Sequence, residues 1–310
     1  MTTSTTTKTL KTAIGGYGHH AALKDGSVTP DGVAFEHVEV APIINAFRRM
    51  CRGQEFDISE MAITTYLAAR RYGLPFTAIP VFPVRAFHNN AFAYNTDSGI
   101  KEPKDIEGKK VGVRAYTVTT GVWARGIIAS DHGVDLNKVT WVLADEEHVA
   151  QFHDDMPSNA SMQSGADLTK MLADGELAAG IGIAGREPPE NVKPLIADRG
   201  AAADYYKRTG IYPINHTVVV KDELLQANPG LGQALFEAWK ASKEKWLASA
   251  TAEEKATAGH NIIEGDPFPY GLEANRKPLE TIVQFAVEQR ILPSKLNIED
   301  LFAKGTANLS

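Results

Sequence analysis

Short apolar segments bounded by glycines alternate along this chain with segments whose apolar residues recur at helical spacing, and that alternation constrains the fold more than any other feature. Residues 9–14 read as a strand that breaks at Gly15-Gly16-Tyr17-Gly18, a loop whose backbone can approach a ligand closely. Residues 33–40 alternate as a second strand, and Ile43, Ala46, Phe47 and Met50 mark a helix that Gly53 ends. Residues 56–61 predict a strand running into a loop, and 64–71 the next helix. Further strands are predicted at 77–82, 91–94, 111–113, 139–143 and 178–183. Between them Val122, Trp123, Gly126 and Ile127 share one helical face closed by Gly133, and 168–177 form another helix. A long helix runs from Asn228-Pro229 to about Leu247, and Leu279, Ile282, Val283, Ala286 and Val287 mark the last one. Strands alternating with helices in this way predict an α/β fold with mainly parallel sheets. At roughly 150 residues per domain, 310 residues are enough for two cores.

Composition narrows the function classes. With 43% hydrophobic and 23% charged residues the chain is neither disordered nor fibrous. Thirty-two Lys and Arg against 38 Asp and Glu give a net charge of −6, the wrong sign for a nucleic-acid partner. The single cysteine, Cys51, excludes an internal disulfide and a thiol zinc site, and reads as a small buried hydrophobe. No stretch approaches the ~20 apolar residues of a membrane span. Residues 1–9, opening MTTSTTTKT, read as a disordered Thr-rich tail with no apolar core of a secretory signal, so the expected location is the cytoplasm. A mature exported chain given a new Met would read the same way.

The phosphate-loop, GxSxG and HExxH signatures are absent, and residues 180–185 resemble a dinucleotide loop only loosely. What stands out is a set of polar groups placed just after strands, where α/β folds hold ligands. These are Tyr17, His19 and His20; Ser59 and Glu60; Arg85 and His88; and Thr119, Thr120 and Arg125. A helix start capped by two threonines, with Arg125 within two turns, suits a carboxylate; alternatively a threonine merely caps and Arg125 is solvated. His19-His20 would serve as metal ligands or as a general acid with its neighbour, with at most one side chain facing a ligand on an extended segment. His88 and His216 are equally open, whereas His37, His132, His153 and His260 are expected to face solvent. The run Asp145, Glu146, Glu147, His148 is either a cation site or a solvated face.

Residues 56–61, Arg85 to His88, Val111-Gly112-Val113 with residues 120–126, residues 210–216, and residues 266–272 with Asn275-Arg276 together resemble the 4,5-dihydroxyphthalate decarboxylase family. The resemblance runs in order from about Leu10 to Phe302. It implies a two-lobed type 2 periplasmic-binding-protein-like fold, with lobe one at 10–92 plus 217–310, lobe two at 93–216, and the ligand in the cleft between them. It also implies loss of CO2 from a hydroxylated aromatic dicarboxylate without an organic cofactor. Gly18 stands where the family commonly carries an acid and Arg114 where it often has proline, so Arg114 joins the substrate-binding candidates. For that reaction the residues themselves permit a mechanism in which Arg85 and Arg125 are expected to hold carboxylates with Thr119 and Thr120. His88 or His216 donates the proton, Glu60 accepts from the ring hydroxyl, and His19 substitutes for it or holds a divalent ion. Tyr17, His20 and Ser59 complete the binding set. The implied partner is a small aromatic carboxylate, without nucleic acid or membrane, and a homo-oligomer is left open. The competing reading is a solute receptor of an ABC-type transporter, because the same fold serves both.

Overall fold

The computed structural model describes residues 8–310, so most of the Thr-rich tail lies outside the described residues; Lys8 and Thr9, assigned above to that tail, already belong to the first strand. In chain order the strands are β1 (Lys8–Ala13), β2 (Val33–His37), β3 (Ile58–Ala62), β4 (Phe76–Arg85), β5 (Phe92–Asn95), β6 (Lys110–Val113), β7 (Thr140–Leu143), β8 (Ala160–Met162), β9 (Ala179–Ile181), β10 (Val192–Pro194) and β11 (Ile214–Lys221). The α-helices are α1 (Ala21–Lys24), α2 (Ile44–Gly53), α3 (Ile63–Arg71), α4 (Thr119–His132), α5 (Leu168–Ala173), α6 (Ala201–Thr209), α7 (Asp222–Ala227), α8 (Leu231–Ser249), α9 (Ala252–Ala258) and α10 (Arg276–Glu288). No helix among the described residues is long and apolar enough to cross a membrane.

The chain forms two compact units. The first takes the residues up to Arg85, His216–Leu279 and Leu296–Ser310; the second takes Ala86–Asn215 and Glu280–Lys295. Residues 280–295 therefore belong with the second unit rather than with the rest of 217–310, because the apolar face of α10 meets α4: Phe285 lies edge-on to Trp123 at 5.7 Å. The helix at 168–177 is also shorter than its sequence suggests, closing at Ala173. The long helix starts at Leu231, after Gly230, rather than at Asn228-Pro229.

The first unit is built on the sheet β2-β1-β3-β11-β4, with β1 parallel to β2 and β3, and β11 antiparallel to β3. All five residues of the central β3 are buried, as a strand covered on both faces requires. Ile58, Val218, Val220, Leu235, Phe236 and Trp239 join one core under this sheet. α2 buries Ala46, Phe47 and Met50. The reversal after it is made by Gln54 at φ 46°, not by Gly53.

The second unit is built on β10-β5-β9-β6-β7-β8, with β6 parallel to β7 and β9. α4 follows β6, buries Val122, Trp123, Ile127 and Ile128, and is closed by Gly133 in the left-handed region at φ 65°. Gly126 is the contact point of α4 with α10, since a Cβ there would stand 2.1 Å from the Phe285 ring. Gly126→Ala is expected to cost about 1–3 kcal/mol of stability through overpacking. Urea unfolding checks it, with Phe285→Ala in the same chain returning part of the loss; an unchanged midpoint in the single variant would mean the two helices separate freely.

Candidate active site

The centre of the first unit's polar cluster is Glu60, whose side chain has no exposed surface. It sits on β3 between β1 and β11, so the register of three strands decides its neighbours. Ala13 of β1 lies opposite Ser59, which brings the Gly15-Gly16-Tyr17 loop to the carboxylate. His216 of β11 pairs with Ala62, two residues along β3 from Glu60 and therefore on the same face. The Gly15 amide donates to Glu60 Oε2 at 2.8 Å, while Tyr17 Oη donates to Oε1 at 2.8 Å. His216 Nδ1 lies 2.6 Å from the same Oε1.

Burial alone would raise the Glu60 carboxyl, but the hydrogen bond and charge of His216, the field of His20 and the Gly15 amide outweigh it and hold the group below its ordinary value. Glu60 is therefore an anion at neutral pH, and His216 Nδ1 must be the donor to it. That leaves Nε2 as the ring nitrogen not engaged by Glu60, in a ring whose orientation is fixed. The Tyr17 phenol is pushed well up, first by burial and then by the Glu60 charge and bond, so it remains a donor. The Phe47 ring meets His216 edge-on at 5.0 Å. With 18% of its side chain exposed, His216 is the member of this dyad that reaches solvent.

This arrangement corrects the role expected for Glu60. Buried and engaged through both oxygens by Gly15, Tyr17 and His216, it has no surface to offer a substrate hydroxyl; it fixes the orientation of the His216 ring. Tyr17 is likewise committed to Glu60, and Ser59, fully buried, donates to the Glu60 carbonyl at 2.8 Å.

His19 and His20 are not on an extended segment. They lie in a single 3-10 turn, Gly18–His20, and both are buried. His20 Nδ1 bonds the Gly15 carbonyl at 3.1 Å; His19 stacks on Tyr17 and lies 4.3 Å from the Phe268 ring. Burial pushes His20 down to about 4. It pushes His19 down to about 2, helped by the charges of His20 and Lys243. Both are neutral rings inside the fold, so His19 is not a proton donor at neutral pH. No group of three or more His, Cys, Asp or Glu side chains able to hold a metal is found among the described residues. The unfolded chain binds these two protons near pH 6.5 and the folded chain does not, so stability is full above that pH and is lost below it. The loss should run at about 1.4 kcal/mol per pH unit for each histidine. Denaturant midpoints at pH 6.5 and pH 5 test this; equal midpoints would mean that the rings gain protons without unfolding.

The remaining candidates divide. Arg85, at the end of β4, is buried and bonds Asn275 Oδ1 and the Pro269 carbonyl. In the second unit His88 Nε2 lies 3.0 Å from Asn215 Oδ1. Arg114 follows β6 and pairs with Asp145 at 3.0 Å in a half-exposed bridge. Thr119 and Thr120 are the first two residues of α4 and not its caps; Val118 holds the N-cap position with no side-chain bond. Thr119 Oγ1 reaches the Asn215 carbonyl at 3.5 Å. Arg125 departs most from expectation. It is fully buried, donates from Nε to Gln289 Oε1 at 2.7 Å and from Nη2 to the Tyr116 carbonyl, and lies 4.1 Å over the Tyr116 ring. It is a core residue of its unit, not a carboxylate ligand. His37, expected in solvent, bonds the Leu23 carbonyl at 3.1 Å. Burial pushes the Cys51 thiol up to about 12, which keeps it an inert thiol. Sequence reasoning missed Gly15, Asn215 and Asn275 as partners; the adjacency of Asn215 to His216 was the available signal.

Residues 53–249 match the family model described as NMT1/THI5 like. The 4,5-dihydroxyphthalate decarboxylase of Comamonas testosteroni is 32% identical over 319 positions, covering 94% of this chain and 96% of that protein. A protein of the same name from Pseudomonas putida is 34% identical over 212 positions, 64% of this chain and 81% of its own. Among solved structures, the periplasmic aliphatic sulphonate binding protein SsuA from Escherichia coli matches with a TM-score of 0.55 at 14% identity, over 95% of this chain and 91% of that one. The desulfurization enzyme DSZB matches with a TM-score of 0.56 at 16% identity, over 97% and 98%. At these identities the solved structures establish the fold alone, that of the type 2 periplasmic binding proteins, and it is shared by a receptor and an enzyme. Carried by the Comamonas relative over nearly its whole length, the chain belongs to the 4,5-dihydroxyphthalate decarboxylase family, within the NMT1/THI5-like proteins.

Proposed function

We propose that this protein is a carboxy-lyase that removes CO2 from a hydroxylated aromatic dicarboxylate of the 4,5-dihydroxyphthalate kind, in the breakdown of aromatic compounds. The observation that carries the reading is the buried, ionised Glu60 holding Nδ1 of the partly exposed His216. A buried carboxylate costs several kcal/mol unless its partners repay it, and this one is used to aim and charge a single imidazole.

The chemistry needs an acid over the ring carbon that carries the carboxylate. His216, protonated on Nε2, delivers its proton to that carbon, with electron density supplied by the hydroxyl para to it. The bond to the carboxylate then breaks, its electron pair restores the aromatic ring, and CO2 leaves. His216 recovers a proton from water. Glu60 stabilises the imidazolium before transfer. We assign carboxylate binding to Arg85, whose guanidinium is fixed by Asn275 and Pro269.

The test is CO2 release and product identification with 4,5-dihydroxyphthalate, 4-hydroxyphthalate and related hydroxybenzoic diacids. Turnover that disappears in His216→Ala supports the reading. Tight binding of these acids without turnover would replace it by the solute receptor.

A further inference from the structure

One carboxylate oxygen serves two donors. Glu60 Oε1 accepts from His216 Nδ1 at 2.6 Å and from Tyr17 Oη at 2.8 Å, while Oε2 takes the Gly15 amide. Resting on the reading of His216 as the proton donor, we propose that Tyr17 is a positioning residue that sets the pH at which His216 releases its proton, by competing with it for Glu60 Oε1.

The loop is shaped for this contact. A Cβ on Gly15 would stand 2.4 Å from Tyr17 Cζ and 2.6 Å from its hydroxyl oxygen, so only glycine lets the phenol fold back over the backbone onto Glu60. The Gly15 peptide is held at both ends, its carbonyl by His20 Nδ1 and its amide by Glu60. On the far side Tyr17 stacks on His19, 14° from parallel.

The direction follows from the sharing. When His216 is charged it draws electron density from Oε1 and weakens the Tyr17 bond; when His216 is neutral that bond strengthens. Tyr17 therefore favours the neutral imidazole and lowers the upper titration step of the pair. The other ionisable groups around Glu60 are His20 from the same loop and Tyr270 from the segment before α10. Lys24 and His37 face His20, and Lys243 faces His19. None of these is changed by removing the Tyr17 hydroxyl.

The experiment is a pH titration of the His216 ring resonances in the full chain labelled with 15N-histidine, which needs no substrate. In Tyr17→Phe the upper step should move up by about half to one pH unit. The limb of the kcat profile that requires the protonated ring should move with it, with KM unchanged. Gly15→Ala, which must displace the Tyr17 ring, should move the step the same way and carries the test should Tyr17→Phe not fold. Tyr270→Phe, whose buried hydroxyl makes no hydrogen bond, should leave it in place. A step that stays put or falls in the folded Tyr17 and Gly15 variants overturns the proposal. Absence of turnover in the unaltered protein would instead remove the decarboxylase reading, and the titration would still report on Tyr17.

Discussion

Glu60→Gln is expected to keep the fold and the substrate affinity while losing about 10²–10⁴-fold in kcat. Glu60 has no exposed surface, so it has no means of contributing to KM directly. The glutamine fits the same volume, and its oxygen can still take the Gly15 amide now bound to Oε2. Its nitrogen must then face Tyr17 and His216 Nδ1, and two donors cannot share that bond. His216 responds by placing its proton on Nε2 and offering Nδ1 as acceptor. The neutral ring keeps a proton but lacks the anion that stabilised the imidazolium, so ring protonation slows. His216→Ala should lose at least as much, and the double variant little more than His216→Ala alone, because the two groups act as one unit. Steady-state kcat and KM across pH measure this. A Glu60→Gln protein with unchanged kcat would remove the dyad from the chemistry.

Much of this site was legible in the sequence, residue by residue, but the relations among the residues were not. The strand at 56–61 could be read from its apolar run, and Glu60 stood out as a polar group placed where such a strand runs into its loop; that it is buried inside β3 could not be read. The loop after β1 announced itself through its glycines. What could not be read is that His216, 156 residues beyond Glu60, returns on β11 antiparallel to β3 with His216 opposite Ala62. Register between strands so far apart is set by the whole sheet, and a slip of one residue would turn His216 to the opposite face. His19 and His20 were misplaced because alternation was assumed where the chain makes a 3-10 turn, which puts both rings inside. Arg125 was misjudged for another reason. Its position near a helix start suggested a ligand, although its spacing of three from both Val122 and Ile128 already put it on the buried face of α4.

Arg125→Ala is accordingly expected to fail through stability and not through affinity, losing about 3–5 kcal/mol. Three things go at once. Gln289 Oε1 and the Tyr116 carbonyl lose their donor inside the second unit. The faces of Tyr116 and Trp141, 4.1 and 5.1 Å from the guanidinium carbon, lose the cation over them. The buried Glu147 carboxylate, which accepts from the Tyr116 and Thr117 amides, loses the positive charge that helps lower its proton affinity against burial. Arg125→Lys should recover only part of the loss, because an ammonium cannot reach Gln289 and Tyr116 in one plane while covering an aromatic face. Gln289 makes the argument specific to this packing: its Nε2 donates to the Val122 carbonyl, so the arginine ties the end of α10 to α4 through one amide. Gln289→Ala should therefore reproduce much of the Arg125→Ala loss, and the two should combine less than additively. Urea unfolding of the three variants decides the matter. An Arg125→Ala protein with normal unfolding and a raised KM for aromatic diacids would return this residue to the carboxylate-binding role that its place in the sequence first suggested.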